Sequence, residues 1–411
     1  MNKPSTSTLA YKASSATRPG EHSSAPTQVQ FMLRMLSRLE HGSLNLICPD
    51  GKVLNFGQQE PAITLSLSSW EPFLAAIRAG DIGFAESYLK GEWQTDDLAK
   101  LIELFIHNRN ALESAIYGSW WGSLLYRVKH LFNRNSRSGS RRNIHAHYDI
   151  GNRFYTLWLD ESMTYSSALF AQPEFTLKQA QHAKYERILT ETGVRTGDTL
   201  LEIGCGWGGF AELAAGKGVH VTGLTLSTEQ LEFAQKRLLA AGVSERTELR
   251  LQDYRDANGQ FDAIASIEMF EAVGEDYWDS YFNCIAQRLK TGGRACIQTI
   301  TIDDSLFERY RKGTDFIQQY IFPGGMLPSP SVFRAHAQRH GLSVVNEFAF
   351  GLDYARTLSL WDQAFSANLD VVQAQGFDER FIRTWKFYLA YCEAGFRAGS
   401  IDLFQFTLQK N

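Results

Sequence analysis

Residues 200–215 read LLEIGCGWGGFAELAA. An apolar run enters a turn built on Gly204, Gly206, Gly208 and Gly209, and a helix-like stretch follows with Phe210, Leu213 and Ala214 on one face. Strand, glycine turn and helix in that order make a nucleotide-type site. The glycines admit close approach of a ligand to the backbone, and the start of the helix offers unpaired N–H groups beside it. Lys217–Thr222 (KGVHVT) reads as a second strand, and GLTLSTEQ continues it at 223–230. A dinucleotide fold places an acid about 20 residues after the first glycines to hold the ribose hydroxyls. Thr225, Leu226 and Ser227 occupy that place here, with Gln230 one turn into the next helix, while Glu202 leaves a carboxylate near the ligand.

Working outward, strand and helix patterns alternate after Leu200: LLEIG, VHVTGL, TELRLQ, FDAIASI and GGRACIQTI, then SVVNEFAF. The alternation predicts an open, mostly parallel α/β sheet with its ligand outside the carboxyl ends of the strands. Those ends carry Gly204 to Gly208, Thr225 to Ser227, Asp253 with Tyr254, Ser266 to Glu271, and Gln298 to Ile300.

The chain has 411 residues, 44% of them hydrophobic, which is enough for two or three cores at about 100–200 residues per domain. A formal net charge of −4 does not imply a nucleic-acid partner. Cys48, Cys205, Cys284, Cys296 and Cys392 are odd in number and form no CxxC pair, which fits a reduced, cytoplasmic setting. No apolar run approaches the roughly 18 residues that span a bilayer, and the Ser/Thr/Ala-rich start lacks a signal-peptide core.

Four segments are expected. Residues 1–28 are polar, low in complexity and read as disordered. Residues 29–113 read as a small α+β domain, with an amphipathic helix (FMLRMLSRLE), short alternating strands about a Pro49-Asp50-Gly51 turn, and helical stretches beyond. Asp81, Glu86 and Trp93 are surface or packing residues there. Residues 114–143 form a basic aromatic linker: Arg127, Lys129, Arg134, Arg137, Arg141 and Arg142 follow Trp120 and Trp121, and no acid occurs from 114 to 148. A solvated linker is one reading. The other is an interfacial segment, its aromatics at headgroup level and its cations on anionic lipid, at about 1 kcal/mol each. Residues 144–411 form the catalytic domain.

HYDIGNRFYTLWLDESMTYSSALF, LLEIGCGWGGFAELAA, GLTLSTEQLEFAQ, LQDYRD, MFEAVGEDYWDSYF, YIFPGGMLPS and LDYARTLSLW, taken together and in order, resemble the cyclopropane fatty acid synthase family of S-adenosylmethionine (SAM) dependent enzymes. The likeness runs from about residue 35 to 410, so the first domain resembles that of the phospholipid-acting members. It implies a Rossmann-like methyltransferase fold, unsaturated phospholipid acyl chains as substrate, a peripheral position on the inner face of the membrane through residues 120–142, and a homodimer. For SAM it implies Tyr165 and Ser166 closing over the cofactor, Gly204 and Gly206 along its amino acid part, and Thr225, Leu226 and Gln230 at the ribose. Asp253 and Tyr254 would border the adenine, with Ser266 and Ile267 nearby.

The reaction brings a sulfonium methyl against a cis double bond in a dry pocket. The resulting carbocation is stabilised by aromatic faces, in which WDSYF, FIQQYIF and DYARTLSLW are rich. A base then takes a proton. Loss from the added methyl closes a cyclopropane, whereas loss from a neighbouring chain carbon leaves a methyl-branched alkene. The resemblance implies bicarbonate as this base, held by Glu271, Tyr354 and the backbone of Ile300. Ser167 stands where the family has Cys, Gln298 where it has His, and Ala272 where a His adjoins the Glu. Ser and Gln hydrogen-bond an oxyanion but do not titrate near neutrality as His does. Cyclopropane formation is the default product, and a methyl-branched chain competes with it. A small-molecule N-methyltransferase and a lipid-binding protein with a vestigial SAM site are the other readings.

Glu268 and Glu271 lie three apart, on one face if that stretch is helical, with one expected at the anion site and the other facing solvent. Cys205 reads as a packing residue, and His145 and His147 lack partners for a metal.

Overall fold

The computed structural model describes residues 25–110, 112 and 150–411. The basic aromatic segment 120–142, His145 and His147 lie outside the described residues. The chain divides into two compact units, Met1–Ser119 and Trp120–Asn411.

In the first unit, β1 (Ser43–Ile47), β2 (Val53–Gly57), β3 (Ile63–Leu67) and β4 (Trp93–Thr95) form a sheet in the order β2-β1-β3-β4. β1 and β2 make the hairpin expected around Pro49-Asp50-Gly51, while β1 and β3 run parallel. Alternation buries Leu44 and Leu46, Leu54 and Phe56, and Leu65 and Leu67. The helices Thr27–Leu36, Glu71–Leu89 and Leu98–His107 complete this α+β unit, the first of them starting inside the stretch read as a tail. Trp93 is a packing residue: it is buried, and its ring stacks on Phe84 at 4.4 Å.

The second unit is a seven-stranded sheet, ordered β10-β11-β9-β8-β5-β6-β7. Its strands are β5 (Thr199–Ile203), β6 (His220–Thr225), β7 (Thr247–Leu251), β8 (Phe261–Ile267), β9 (Leu289–Ile302), β10 (Leu342–Ala349) and β11 (Ile401–Lys410). From β9 to β7 all pairings are parallel; β11 enters antiparallel between β9 and β10. This is the open, mostly parallel sheet that the alternation predicts. β11 went unread in the sequence although Phe404, Phe406 and Leu408 alternate on one apolar face; Gln405 and Thr407 are buried on the other.

One apolar layer contains Tyr185, Ile188, Leu200, Phe210 and Ala214, and another contains Phe270, Trp278, Tyr281, Phe282, Phe333 and Phe406. The WDSYF aromatics thus belong to the core, although Tyr281 also meets Tyr254 edge-on at 5.6 Å. Among the described residues no helix is long and apolar enough to cross a membrane.

Candidate active site

Strand order reverses at β5, which has β6 on one side and β8 on the other, and the candidate site lies at the carboxyl ends of these strands. β5 ends in the glycine turn. Gly204 and Cys205 both donate backbone N–H groups to Leu224 O of β6, at 3.0 and 2.8 Å. Gly204 has φ +88°, and a Cβ there would stand 3.0 Å from Met269 Cγ, so no other residue fits this corner without strain. Gly206, at φ +50°, faces open space. The helix Gly209–Gly216 starts directly after the turn.

The polar groups around this turn suit SAM. Glu202 is 2% exposed, its Oε2 meets no partner among the described residues, and burial pushes its carboxyl up to about 8 against the pull of Arg237. An ammonium group would answer that orphaned oxygen. At the β6 end the Thr225 hydroxyl bonds Gln230 Oε1 at 3.0 Å and accepts from Ser227 N at 3.1 Å, and Ser227 caps the helix Thr228–Ala240. Leu226 is half-exposed between them. At the β7 end Asp253 is held by Arg255 through both carboxylate oxygens, at 2.8 and 2.6 Å. The Tyr254 hydroxyl beside it is buried without a partner among the described residues. Ser266 and Ile267 close β8. Cys205 is inert: burial, with Glu202 adding to it, holds its thiol well above the ordinary value.

Tyr165, Ser166 and Ser167 form a turn clamped from several sides. The Tyr165 hydroxyl bonds that of Tyr388 at 2.8 Å, and its ring meets those of Tyr155, Trp158 and Trp361 at 5.4, 5.4 and 5.5 Å. Gln181 Nε2 donates to Ser166 O at 2.8 Å, and Lys184 Nζ donates to Ser166 Oγ at 2.6 Å. Lys184 is fully buried; burial lowers its pKa, and Glu268 and Asp160 oppose that shift.

The five residues expected around an anion come together, but on two carboxylates of the chain. Glu268 Oε1 accepts from Ser167 N at 2.9 Å and from Gln298 Nε2 at 2.7 Å, and Glu268 Oε2 accepts from the Tyr354 hydroxyl at 2.6 Å. Glu271 Oε1 accepts from Ile300 N at 2.5 Å and from Thr299 Oγ1 at 3.0 Å. The expectation that one of the two glutamates faces solvent is corrected. Both are half-buried by accessible area, yet each carboxyl lies deep in the unit, and burial raises both pKa values. Lys184 is the largest influence lowering that of Glu268; Glu268 itself raises that of Glu271, which reaches about 8. The stretch is a 3-10 turn, Phe270–Ala272, rather than a helix. Glu268 has φ +50°, one of two non-glycine residues with positive φ among those described. Such a conformation, held at a buried charge, marks a site that the surrounding structure over-determines.

Sequence reasoning missed Lys184, Gln181, Tyr155, Trp158 and Tyr388. A signal for Lys184 was present: Gln181, Lys184, Tyr185 and Ile188 share the buried face of the helix Leu177–Thr192, where an unpaired cation would be costly.

The reversing parallel sheet and its glycine turn define a nucleotide-type fold, which similarity to known enzymes makes that of a SAM-dependent methyltransferase. Within it, residues 135–406 match the family model described as mycolic acid cyclopropane synthetase, and the chain belongs to that family. It is 39% identical over 387 residues to the tuberculostearic acid methyltransferase UfaA1 of Mycobacterium tuberculosis, covering 91% of this chain and 90% of that one. It is 34% identical over 344 residues to the cyclopropane-fatty-acyl-phospholipid synthase of Escherichia coli K12, covering 82% and 85%. The solved mycolic acid cyclopropane synthase CmaA1, complexed with SAH and CTAB, superposes with a TM-score of 0.62 at 35% identity, over 66% of this chain and 98% of that one.

Proposed function

We propose that this enzyme transfers the methyl group of SAM to the cis double bond of an unsaturated fatty acyl chain carried by a membrane phospholipid, and that the product is a branched chain. SAM supplies an electrophilic methyl group. Gly204, Gly206 and Glu202 would hold its amino acid part, Thr225, Leu226 and Gln230 its ribose, and Asp253 and Tyr254 its adenine, with Ser266, Ile267, Tyr165 and Ser166 closing the site. The new C–C bond leaves a cation on the second alkene carbon. The rings of Tyr155, Trp158, Tyr165 and Trp361 cluster here, and a π face of that cluster would stabilise such a charge.

The observation that carries the reading is Glu268. Its carboxylate takes the Ser167 backbone N–H, the Gln298 amide and the Tyr354 hydroxyl, from three of the positions that the resemblance assigns to bicarbonate, so the chain would supply its own anion there; the Ser167 hydroxyl itself donates to Ala168 O. A carboxylate fixed to the end of β8 removes the proton from whichever carbon the acyl chain presents to it. The likeness to a tuberculostearic acid methyltransferase supports a branched product. A cyclopropane is the second reading, favoured by Glu271 and Ile300, which keep the family residues and bond each other. The amino-terminal unit and the cationic segment 120–142 would bring the enzyme to anionic lipid.

The test is mass spectrometry of cis-monounsaturated phospholipid vesicles incubated with the protein and methyl-deuterated SAM. Three retained deuteriums mark proton loss from the chain and a methyl-branched alkene. Two retained deuteriums mark proton loss from the methyl, and mild hydrogenation then separates a methylene branch, which forms if a 1,2-hydride shift first moves the cation to the methylated carbon and which takes up hydrogen, from a cyclopropane, which does not. A cyclopropane overturns the branched assignment, and no labelled lipid overturns the acceptor.

A further inference from the structure

Behind Gln298 runs a second line of buried polar side chains that the reaction as described does not use. Gln298 on β9 and Gln405 on β11 are direct cross-strand partners, and both are fully buried. Gln405 Nε2 donates to Gln298 Oε1 at 2.9 Å, and Gln298 Nε2 donates to Glu268 Oε1 at 2.7 Å. Behind them Arg187 Nη1 donates to Gln405 Oε1 at 2.7 Å. Arg187 is itself held in place: Nη2 donates to Asn346 Oδ1 at 3.1 Å, Glu191 lies 3.3 Å away, and the guanidinium covers the Phe348 ring at 4.2 Å. Glu191 in turn accepts from Thr407 at 2.9 Å.

A primary amide can be turned over at almost no steric cost, so the Gln298–Gln405 pair is held against a flip from both sides only if the acceptor at one end is matched by a donor at the other. A guanidinium supplies that, because it has donors only. Arg187 therefore fixes Gln405 with its oxygen outward, Gln405 fixes Gln298 in the same sense, and the Gln298 N–H faces Glu268. We propose that Arg187 and Gln405 are positioning residues for turnover, acting through this one-way line of hydrogen bonds to keep Glu268 held and aimed. The proposal rests on the reading in which Glu268 takes part in the reaction.

Gln405→Glu tests the polarity. The new carboxylate still accepts from Arg187 but offers no N–H, so Gln298 must turn its own N–H to residue 405 and set its oxygen against Glu268. The expected result is a fall in kcat of about tenfold or more, the effect of losing one charge-assisted hydrogen bond, with the Kd for SAM unchanged. A folded Gln405→Glu with parental kcat overturns the proposal. Should that variant not fold, Arg187→Gln at the partly exposed end of the line decides. It frees the orientation, since a glutamine can donate or accept, and lowers kcat, and Arg187→Lys, which has donors only, recovers at least half of the loss; equal kcat for these two variants overturns the proposal. Glu268→Gln separates the two levels. An active Glu268→Gln removes the reading of Glu268 itself, whereas an inactive Glu268→Gln beside a parental Gln405→Glu removes the relay alone.

Discussion

Glu271 stores a measurable part of the stability of the methyltransferase unit in its proton. Burial, with Glu268 beside it, lifts its carboxyl from 4.5 to about 8. Below pH 4.5 the group is protonated whether the chain is folded or not. Between that value and about 8 the unfolded chain releases the proton and the folded one retains it, so stability falls as pH rises and levels off above the folded pKa. A displacement of that size corresponds to at most about 5 kcal/mol. Glu271→Gln keeps an acceptor for Ile300 N and Thr299 Oγ1 and removes the titration. The variant is therefore expected to match the parent near pH 4.5 and to exceed it in stability above pH 8. Urea denaturation at a series of pH values from 4.5 to 9 reads the difference directly, and Glu202 does not confuse it, being common to both proteins. Parallel curves across that range would refute the reasoning. The same substitution should spare SAM binding, and a loss of turnover with it would count for the second reading, in which Glu271 keeps its family role.

Three further outcomes are expected. Tyr354→Phe removes the 2.6 Å bond to Glu268 and should lower kcat about ten- to hundredfold at constant SAM affinity, since a hydrogen bond to a charged group contributes about 1.5–3 kcal/mol; parental kcat in steady-state assays would remove Tyr354 from the machinery. Gly204→Ala forces a Cβ to 3.0 Å from Met269 at φ +88° and should cost about 1–3 kcal/mol along with weaker SAM binding, so a thermal melt and titration identical to the parent's would contradict the cradle. Binding to anionic vesicles through the cationic segment 120–142 should weaken steadily as salt is added, and cosedimentation that ignores ionic strength counts against it.

The two halves of the site differ in how legible they were. The half proposed to hold SAM is local. Glycines follow an apolar strand within a few residues, Ser227 caps the helix whose first turn carries Gln230, and periodicity alone puts Thr225, Asp253 and Ser266 at strand ends. Such patterns survive in one dimension because they are set by neighbours three or four positions apart. The basic half is non-local. Ser167, Gln298 and Tyr354 stand 101, 30 and 86 positions from Glu268, and their family roles were carried over onto an external anion. Nothing in residue types says that a glutamate of the chain would take those donors.

By itself, then, the sequence determined a mostly parallel α/β sheet, a glycine cradle at its switch point, and the set of strand-end residues from which any site had to be drawn, because backbone conformation and amphipathic period are written locally. Tertiary structure decided what that set does. It turned Glu268 inward at positive φ, brought Lys184 to Ser166, and inserted β11 so that Gln405 met Gln298. Each of these depends on a buried charge or amide finding a partner far away in the chain, and the low dielectric of the interior makes such partnerships obligatory without making them visible in the order of residues.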